Sequence, residues 1–210
     1  MPSDLQVDNI KDGSATKTLA TLSSSAVSLH SDVTFPDGHI VQVKCTYDTT
    51  QENISSGTSS TAITNLKCNI IPKSASNTML IHGHFYLGAS TNFNGGTSLT
   101  RRLASASFSS SDTTIGSLSS QGISTSGVIR AQNFFNTDDG PDNDDASIIP
   151  YPYNYIDSGY DTVTEITYQM AVASSSSINV HYGRSERSVN DGRCVATMYI
   201  FEIQGTVAIS

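Results

Sequence analysis

The chain has 210 residues, enough for one large β domain with an extension, and its net charge of −8 is spread thinly, with only 14% charged residues. Charged side chains ordinarily fill about a quarter of a chain; here Ser and Thr together take roughly that share. An acidic balance with no cluster of Lys and Arg argues against nucleic-acid binding, whose affinity rests on displaced counterions.

Residues 1–36 mix isolated apolar side chains with Ser, Thr and Asp and sustain neither a helical nor a strand period. The opening MPSDLQVDNIKDG has neither the basic start nor the apolar centre of a secretion signal, and no apolar run approaches the ~20 residues that span a membrane. The expectation is a protein made in the cytosol of its host, without membrane insertion. Residues 1–36 read as an extended attachment arm, with Leu5, Val7, Ile10, Leu19 and Leu22 placed to be buried by a docking partner.

From residue 37 to 210 the chain reads as strands. His39 to Tyr47 alternates, with Val41, Val43, Cys45 and Tyr47 expected to face inward. Ala62 to Ala89 holds two alternating runs around a polar connection, one placing Leu66, Cys68 and Ile70 on a single face, the other Met79, Ile81, Phe85 and Leu87. Further strands are expected over Val128–Phe135, Glu165–Val172, Ser177–Tyr182 and Cys194–Ile203, separated by clusters of Gly, Asn and Ser. Many short strands with long polar loops define an all-β fold: an antiparallel β-sandwich of jelly-roll type. Open sheet edges would then need covering, and oligomerisation is one way to do it.

Cys45, Cys68 and Cys194 lie inside strand-like runs without C-x-x-C spacing and read as small buried apolar thiols, with a Cys45–Cys68 disulfide as the alternative. The basic pair Arg101-Arg102 and the later Arg184, Arg187 and Arg193 read as solvated turn and edge charges.

His82 and His84 flank Gly83, so on a strand both imidazoles share a face. Two nitrogens per chain make no metal site, but three chains on an axis would supply six, an octahedral set for a transition metal. Asp138, Asp139, Asp142, Asp144 and Asp145 offer hard oxygen ligands for calcium without the spacing of an EF-hand, beside turn-forming Gly140-Pro141. Tyr151, Tyr153, Tyr155 and Tyr160 follow, as candidates for receptor or subunit contact or for packing on the sandwich. No nucleophile elbow, paired-carboxylate setting or zinc-hydrolase signature is present, so no enzymatic activity is expected.

The phrases DLQVDNIKDGSATKTLA, TNLKCNIIPKSASNTMLIHGHFYLGAS, YIDSGYDTVTEITYQM and INVHYGRSERSVNDGRCVATMYIFEIQG, in that order, resemble virion structural proteins of tailed bacteriophages, especially marine ones, of tail-fibre or head-fibre and decoration type. The resemblance covers about half the chain and implies a non-enzymatic β-sandwich on the virion surface, a homotrimer docked through its N-terminal segment to tail or capsid proteins and contacting a host glycan or protein. His82-Gly83-His84 also resembles the HxH metal sites of some trimeric phage fibres. No repetitive shaft separates arm and body, which departs from a long tail fibre and brings in two alternatives: a capsid decoration protein and, more distantly, a glycan depolymerase with a site between subunits.

Overall fold

The computed structural model describes residues 9–11, 18–22, 27–29, 36–57, 59–89, 93–109, 112–115, 133–137, 148–158, 160, 164–174, 177–184 and 194–205. It divides into two compact units, Met1–Pro36 and Asp37–Ser210.

The first unit holds a small antiparallel sheet of β1 (Asn9–Lys11), β2 (Thr18–Leu22) and β3 (Val27–Leu29), with β2 in the centre. Within residues 1–36, read above as an extended attachment arm, these strands make short pairings. Strands this brief cannot show a period of two across a sequence window.

In the second unit the strands are β4 (Ile40–Asp48), β5 (Glu52–Ser56), β6 (Thr61–Ile70), β7 (Thr78–Ala89), β8 (Phe93–Leu103), β9 (Thr113–Ile115), β10 (Asn133–Thr137), β11 (Ile149–Asp157), β12 (Ile166–Ser174), β13 (Ile178–Tyr182) and β14 (Ala196–Ile203). All pair antiparallel, in one six-stranded and one five-stranded sheet. Each sheet is organised on a long strand. One edge of β7 carries β11, and its other edge is shared by β14 and then β13. One edge of β8 carries β12, and its other edge is shared by β9 and β10.

The strand order is that of a jelly roll. Number β4, β6, β7, β8, β10, β11, β12 and β14 from 1 to 8; the sheets then contain the runs 1-8-3-6 and 2-7-4-5. The remaining strands are continuations. β5 pairs with β13 beyond the point where β4 pairs with β14, so the first and last jelly-roll strands are each interrupted. At the second interruption Gly183 adopts φ 72°, its N–H donates to Tyr86 O at 2.9 Å, and Cys194 N–H donates to Gly183 O at 3.3 Å. These bonds hold Gly183 and Cys194 together as a closed neck. A left-handed residue is needed there, and a Cβ would stand 2.6 Å from Thr50 O, so glycine alone suits the position.

The core lies between the sheets. Ile63, Leu66 and Ile70 of β6, Met79, Ile81, Phe85 and Leu87 of β7, Leu99 of β8, Tyr168 and Met170 of β12, and Met198 and Ile200 of β14 are all fully buried. Both alternating runs of the Ala62–Ala89 stretch thus point their apolar faces inward. On β6 the segment Ile63–Leu66 bulges opposite Met170, since Ala62 pairs with Ala171 and Lys67 with Gln169. Gln169 fills the gap: its Nε2 donates to Ile63 O at 2.8 Å and Thr64 O at 3.3 Å.

Three buried carboxylates lock the edges of this core. Asp157 accepts from Arg101 Nη1 at 2.8 and 2.7 Å and from the Tyr168 hydroxyl at 2.6 Å. Asp48 accepts from Thr50 N at 2.9 Å and the Tyr182 hydroxyl at 2.8 Å. Glu202 is fully buried and has no cationic partner among the described residues; it accepts instead from Lys73 N at 2.7 Å, Ser74 N at 3.2 Å, Asn77 Nδ2 at 2.7 Å and Gln42 Nε2. Hydrogen bonds to the ionised form offset its desolvation.

Glu202→Gln turns one of these acceptors into a donor facing donors. It should lower unfolding free energy by about 3 kcal/mol in urea titrations and deprotect the Lys73 and Ser74 amides in hydrogen exchange.

Candidate functional site

The outward face of the six-stranded sheet is the most unusual surface of this chain. Register places Val43 beside Phe201, Leu80 and Ile156 in one cross-strand row. The next row is Cys45, Tyr199, His82 and Asn154, and the next Tyr47, Thr197, His84 and Pro152. None of these positions carries Asp, Glu, Lys or Arg. Val43 is 50% exposed, Tyr47 62% and Ile156 39%.

β4 is therefore turned over relative to the expectation. Its apolar Val43, Cys45 and Tyr47 face outward, while the polar Gln42, Thr46 and Asp48 hold the other face: Gln42 Nε2 donates to Ile71 O at 2.7 Å, and Thr46 Oγ1 to Lys67 O at 2.9 Å. Alternation fixes which residues share a face but not which face is buried. Inward hydrogen bonds to neighbouring backbone decided the outcome.

Aromatic contacts give the face a fixed surface. The Tyr47 and Tyr199 hydroxyls lie 2.8 Å apart with their rings edge to face, and Tyr199 stacks between His82, at 6.4 Å, and Phe201, at 6.4 Å.

His82 and His84 stand on this face as the strand period requires. His82 Nδ1 lies 2.7 Å from Asn154 Oδ1, a distance at which it donates to that oxygen. His84 Nδ1 lies 3.1 Å from Thr197 Oγ1, and its ring meets Tyr86 edge to face. The described residues contain no cluster of three His, Cys, Asp or Glu side chains that could hold a metal ion.

Gly83, between them, performs a structural task. Tyr153 sits opposite it on β11, lays its ring across the missing side chain and donates to Thr197 O on β14 at 2.7 Å. A Cβ at Gly83 would stand 2.0 Å from that carbonyl and 2.6 Å from the Tyr153 hydroxyl. One side chain thus ties three strands together.

Tyr151, Tyr153, Tyr155 and Tyr160 are all buried, at 7%, 1%, 1% and 3% exposure. The receptor-contact reading of these residues is corrected accordingly: they are interior packing groups. On β11 prolines alternate with tyrosines, so the rings occupy the inward positions, and the edge location tolerates Pro150 and Pro152. Burial pushes the phenols up, that of Tyr155 to about 12. Tyr160 donates to Asn77 O at 2.8 Å.

The other expected sites fare differently. Asp138, Asp139, Asp142, Asp144 and Asp145 lie outside the described residues, as do Leu5 and Val7; Ile10 falls on β1, and Leu19 and Leu22 on β2. The three cysteines are free, Cys68 buried, Cys194 half-buried and Cys45 exposed, so the buried-thiol reading fails for Cys45, a consequence of the inverted β4. Burial pushes the Cys68 thiol up. Arg101 and Arg102 are no turn charges: both sit within β8, one engaged with Asp157 and the other with Gln169. Glu202, Asp157 and Asp48 gave no signal, because an isolated acid in a strand pattern looks solvated until its donors are placed.

The chain is thus an antiparallel β-sandwich protein of jelly-roll order. No protein-family model matches it, and no curated protein matches it. Among solved structures it is similar to a chain from the structure of infectious bursal disease virus Gx strain, with 11% sequence identity and a TM-score of 0.33, over 99% of this chain and 47% of that one. It spans about half the length of that protein, and a likeness at this level carries no functional argument.

Two variants test the local chemistry. Gly83→Ala should cost about 2–4 kcal/mol in urea denaturation, through the steric conflict and the lost Tyr153 hydrogen bond, whereas Tyr153→Phe should cost about 1–2 kcal/mol. His181 is buried on β13, with Nδ1 donating to Asn53 Oδ1 at 2.7 Å, and burial, then Arg184, lower its pKa from 6.5. The unfolded chain binds a proton that the folded one resists, so stability is full above about pH 6.5 and declines as pH falls below it. Chemical melts at pH 7.5 and 5.5 should show a smaller decline for His181→Gln (both about one pH unit from that midpoint).

Proposed function

We infer that this chain is a non-enzymatic structural protein of a tailed-bacteriophage virion surface: a short fibre or knob, homotrimeric, docked to the particle by residues 1–36 and contacting the host with the body. The observation that carries the reading is the uncharged apolar outward face on β4, β14, β7 and β11. Contiguous apolar surface of this kind is characteristic of sites of association. In a chain of net charge −8, it is also where copies can approach without like-charge repulsion. β11 carries Pro150 and Pro152 on the strand paired to β7, and their missing N–H groups favour stacking of faces over extension of the sheet.

The sequence resemblance to phage virion proteins supplies the biological setting. The jelly roll suits it, being an architecture of capsid and lectin domains, although fold by itself does not fix function. Capsid decoration is the second reading. It is favoured by the lack of any repetitive shaft sequence between residues 1–36 and the body. Both readings require assembly through the same kind of face; they differ in where the protein sits.

Native mass measurement of the full chain at about micromolar concentration should give a trimer. Val43→Glu, at an exposed position, should raise the dissociation constant at least about a hundredfold while the dissociated chain keeps the wild-type far-ultraviolet circular dichroism. A wild-type monomer under these conditions refutes the assembly reading. Antibody labelling of intact virions at the tail supports the fibre and labelling over the shell the decoration protein, and loss of incorporation on deleting residues 1–36 assigns docking to that segment.

A further inference from the structure

The outward face of the five-stranded sheet has the opposite character. A cleft of about 360 Å³ opens there among β6, β12, the end of β8 and the turn that follows it. That volume falls within the range of about 300–1,000 Å³ typical of small-ligand sites. Its chemistry is polar and cationic: Lys67 and Arg102 line it together with Asn69, Thr167, Gln169 and Phe108, and no lining residue is Asp or Glu.

The lining is partly braced and partly uncommitted. Gln169 Oε1 accepts from Arg102 Nη2 at 2.5 Å, while Arg102 Nε donates to Ala106 O at 3.1 Å. The guanidinium also lies over the Phe108 ring at 5.8 Å. Its Nη1 is buried without a hydrogen bond, 3.7 Å from Asp112 Oδ2. Thr167 Oγ1 donates to Asn69 Oδ1 at 2.8 Å, which turns the Asn69 amino group into the remaining free end of that amide. Lys67 is exposed, and its ammonium has no hydrogen bond or ion pair among the described residues. Residues 67 and 69 share the outward face of β6, about 7 Å apart along the strand.

Carboxylates nearby are already engaged. Glu52 accepts from Thr64 N at 2.8 Å and Thr64 Oγ1 at 2.5 Å, and Asp112 accepts from Ser109 N at 3.1 Å. An acidic chain has thus kept one small concavity with no acid in its lining, with the exposed Lys67, an oriented amide and an aromatic ring, and with Arg102 braced at its side by Ala106, Gln169 and the Asp112 ion pair.

We propose that this cleft binds a carboxylate-bearing sugar, a hexuronate unit of an acidic polysaccharide. The sugar carboxylate accepts from Lys67 Nζ in the field of Arg102, a ring hydroxyl accepts from Asn69 Nδ2, and the apolar face of the pyranose covers Phe108. A simple inorganic anion would leave most of the volume and the ring unused. The inference names a ligand class for the host-contacting reading above and rests on it only for its biological setting. It assigns ligand binding and self-association to opposite faces of the sandwich.

Calorimetric titration of the full chain with glucuronate, glucose, acetate, inorganic phosphate and a short glutamate peptide tests it. Glucuronate should bind, with glucose at least about tenfold weaker and the other three unable to displace glucuronate at equal concentration. Lys67→Gln, at an exposed position, should weaken glucuronate about tenfold with no change in urea midpoint, and Asn69→Leu should weaken it without altering the preference over glucose. No glucuronate binding up to about 20 mM, equal binding of glucose, displacement by acetate, phosphate or peptide, or an unaffected Lys67→Gln protein each overturns the proposal. Oligomer mass is read on the same samples. A trimer that ignores glucuronate defeats this inference alone, while a monomer that binds it defeats the assembly reading alone.

Discussion

Glu202 sets the constraint on which much of the sandwich depends. Its carboxylate is sealed from water, and its only compensation among the described residues is a ring of donors drawn from β4 and from the connection between β6 and β7. That connection carries the chain from one sheet to the other, so satisfying one buried charge also fixes how the sheets are joined. Asn77 extends the arrangement: its Oδ1 accepts from Gly205 N at 3.2 Å and its carbonyl from Tyr160. The cost of burying a carboxylate is met here by geometry that an unfolded chain cannot reproduce, which makes the junction specific as well as stable.

Legibility in the sequence followed the contrast between apolar and polar neighbours. β6 and β7 were plain because Leu66, Cys68, Ile70 and then Met79, Ile81, Phe85, Leu87 alternate against polar residues. β8 was hidden because Phe93–Leu103 contains adjacent glycines and two arginines, and its inward face holds Arg101, whose charge becomes compatible with burial only through Asp157. β11 was hidden by its prolines, which an edge strand accepts and a central strand does not. The candidate surface was half visible. The shared face of Tyr199, Phe201 and Ile203 could be read, but its direction depends on the polar side of β4 finding inward partners, and the cleft depends on a turn folding over Arg102. Both are tertiary facts, with no local pattern to announce them.

The two outward surfaces divide the physical labour. One is uncharged and aromatic, with its rings held by mutual contact, and loses little by being removed from water. The other keeps hydroxyls, amides and unspent positive charge at the surface, where a hydrated ligand can exchange its water for oriented donors. Between them lies a core with hydroxyl-bearing tyrosines anchored to carboxylates and carbonyls.

The neck at Gly183 and Cys194 has an evolutionary consequence. A hydrogen bond from Cys194 N–H to Gly183 O brings the ends of the two strands together, so backbone pairing sets their register at this point. Such a closure lets the length of chain between the two strands vary while strand register stays unchanged. It is also the natural place to graft a foreign peptide.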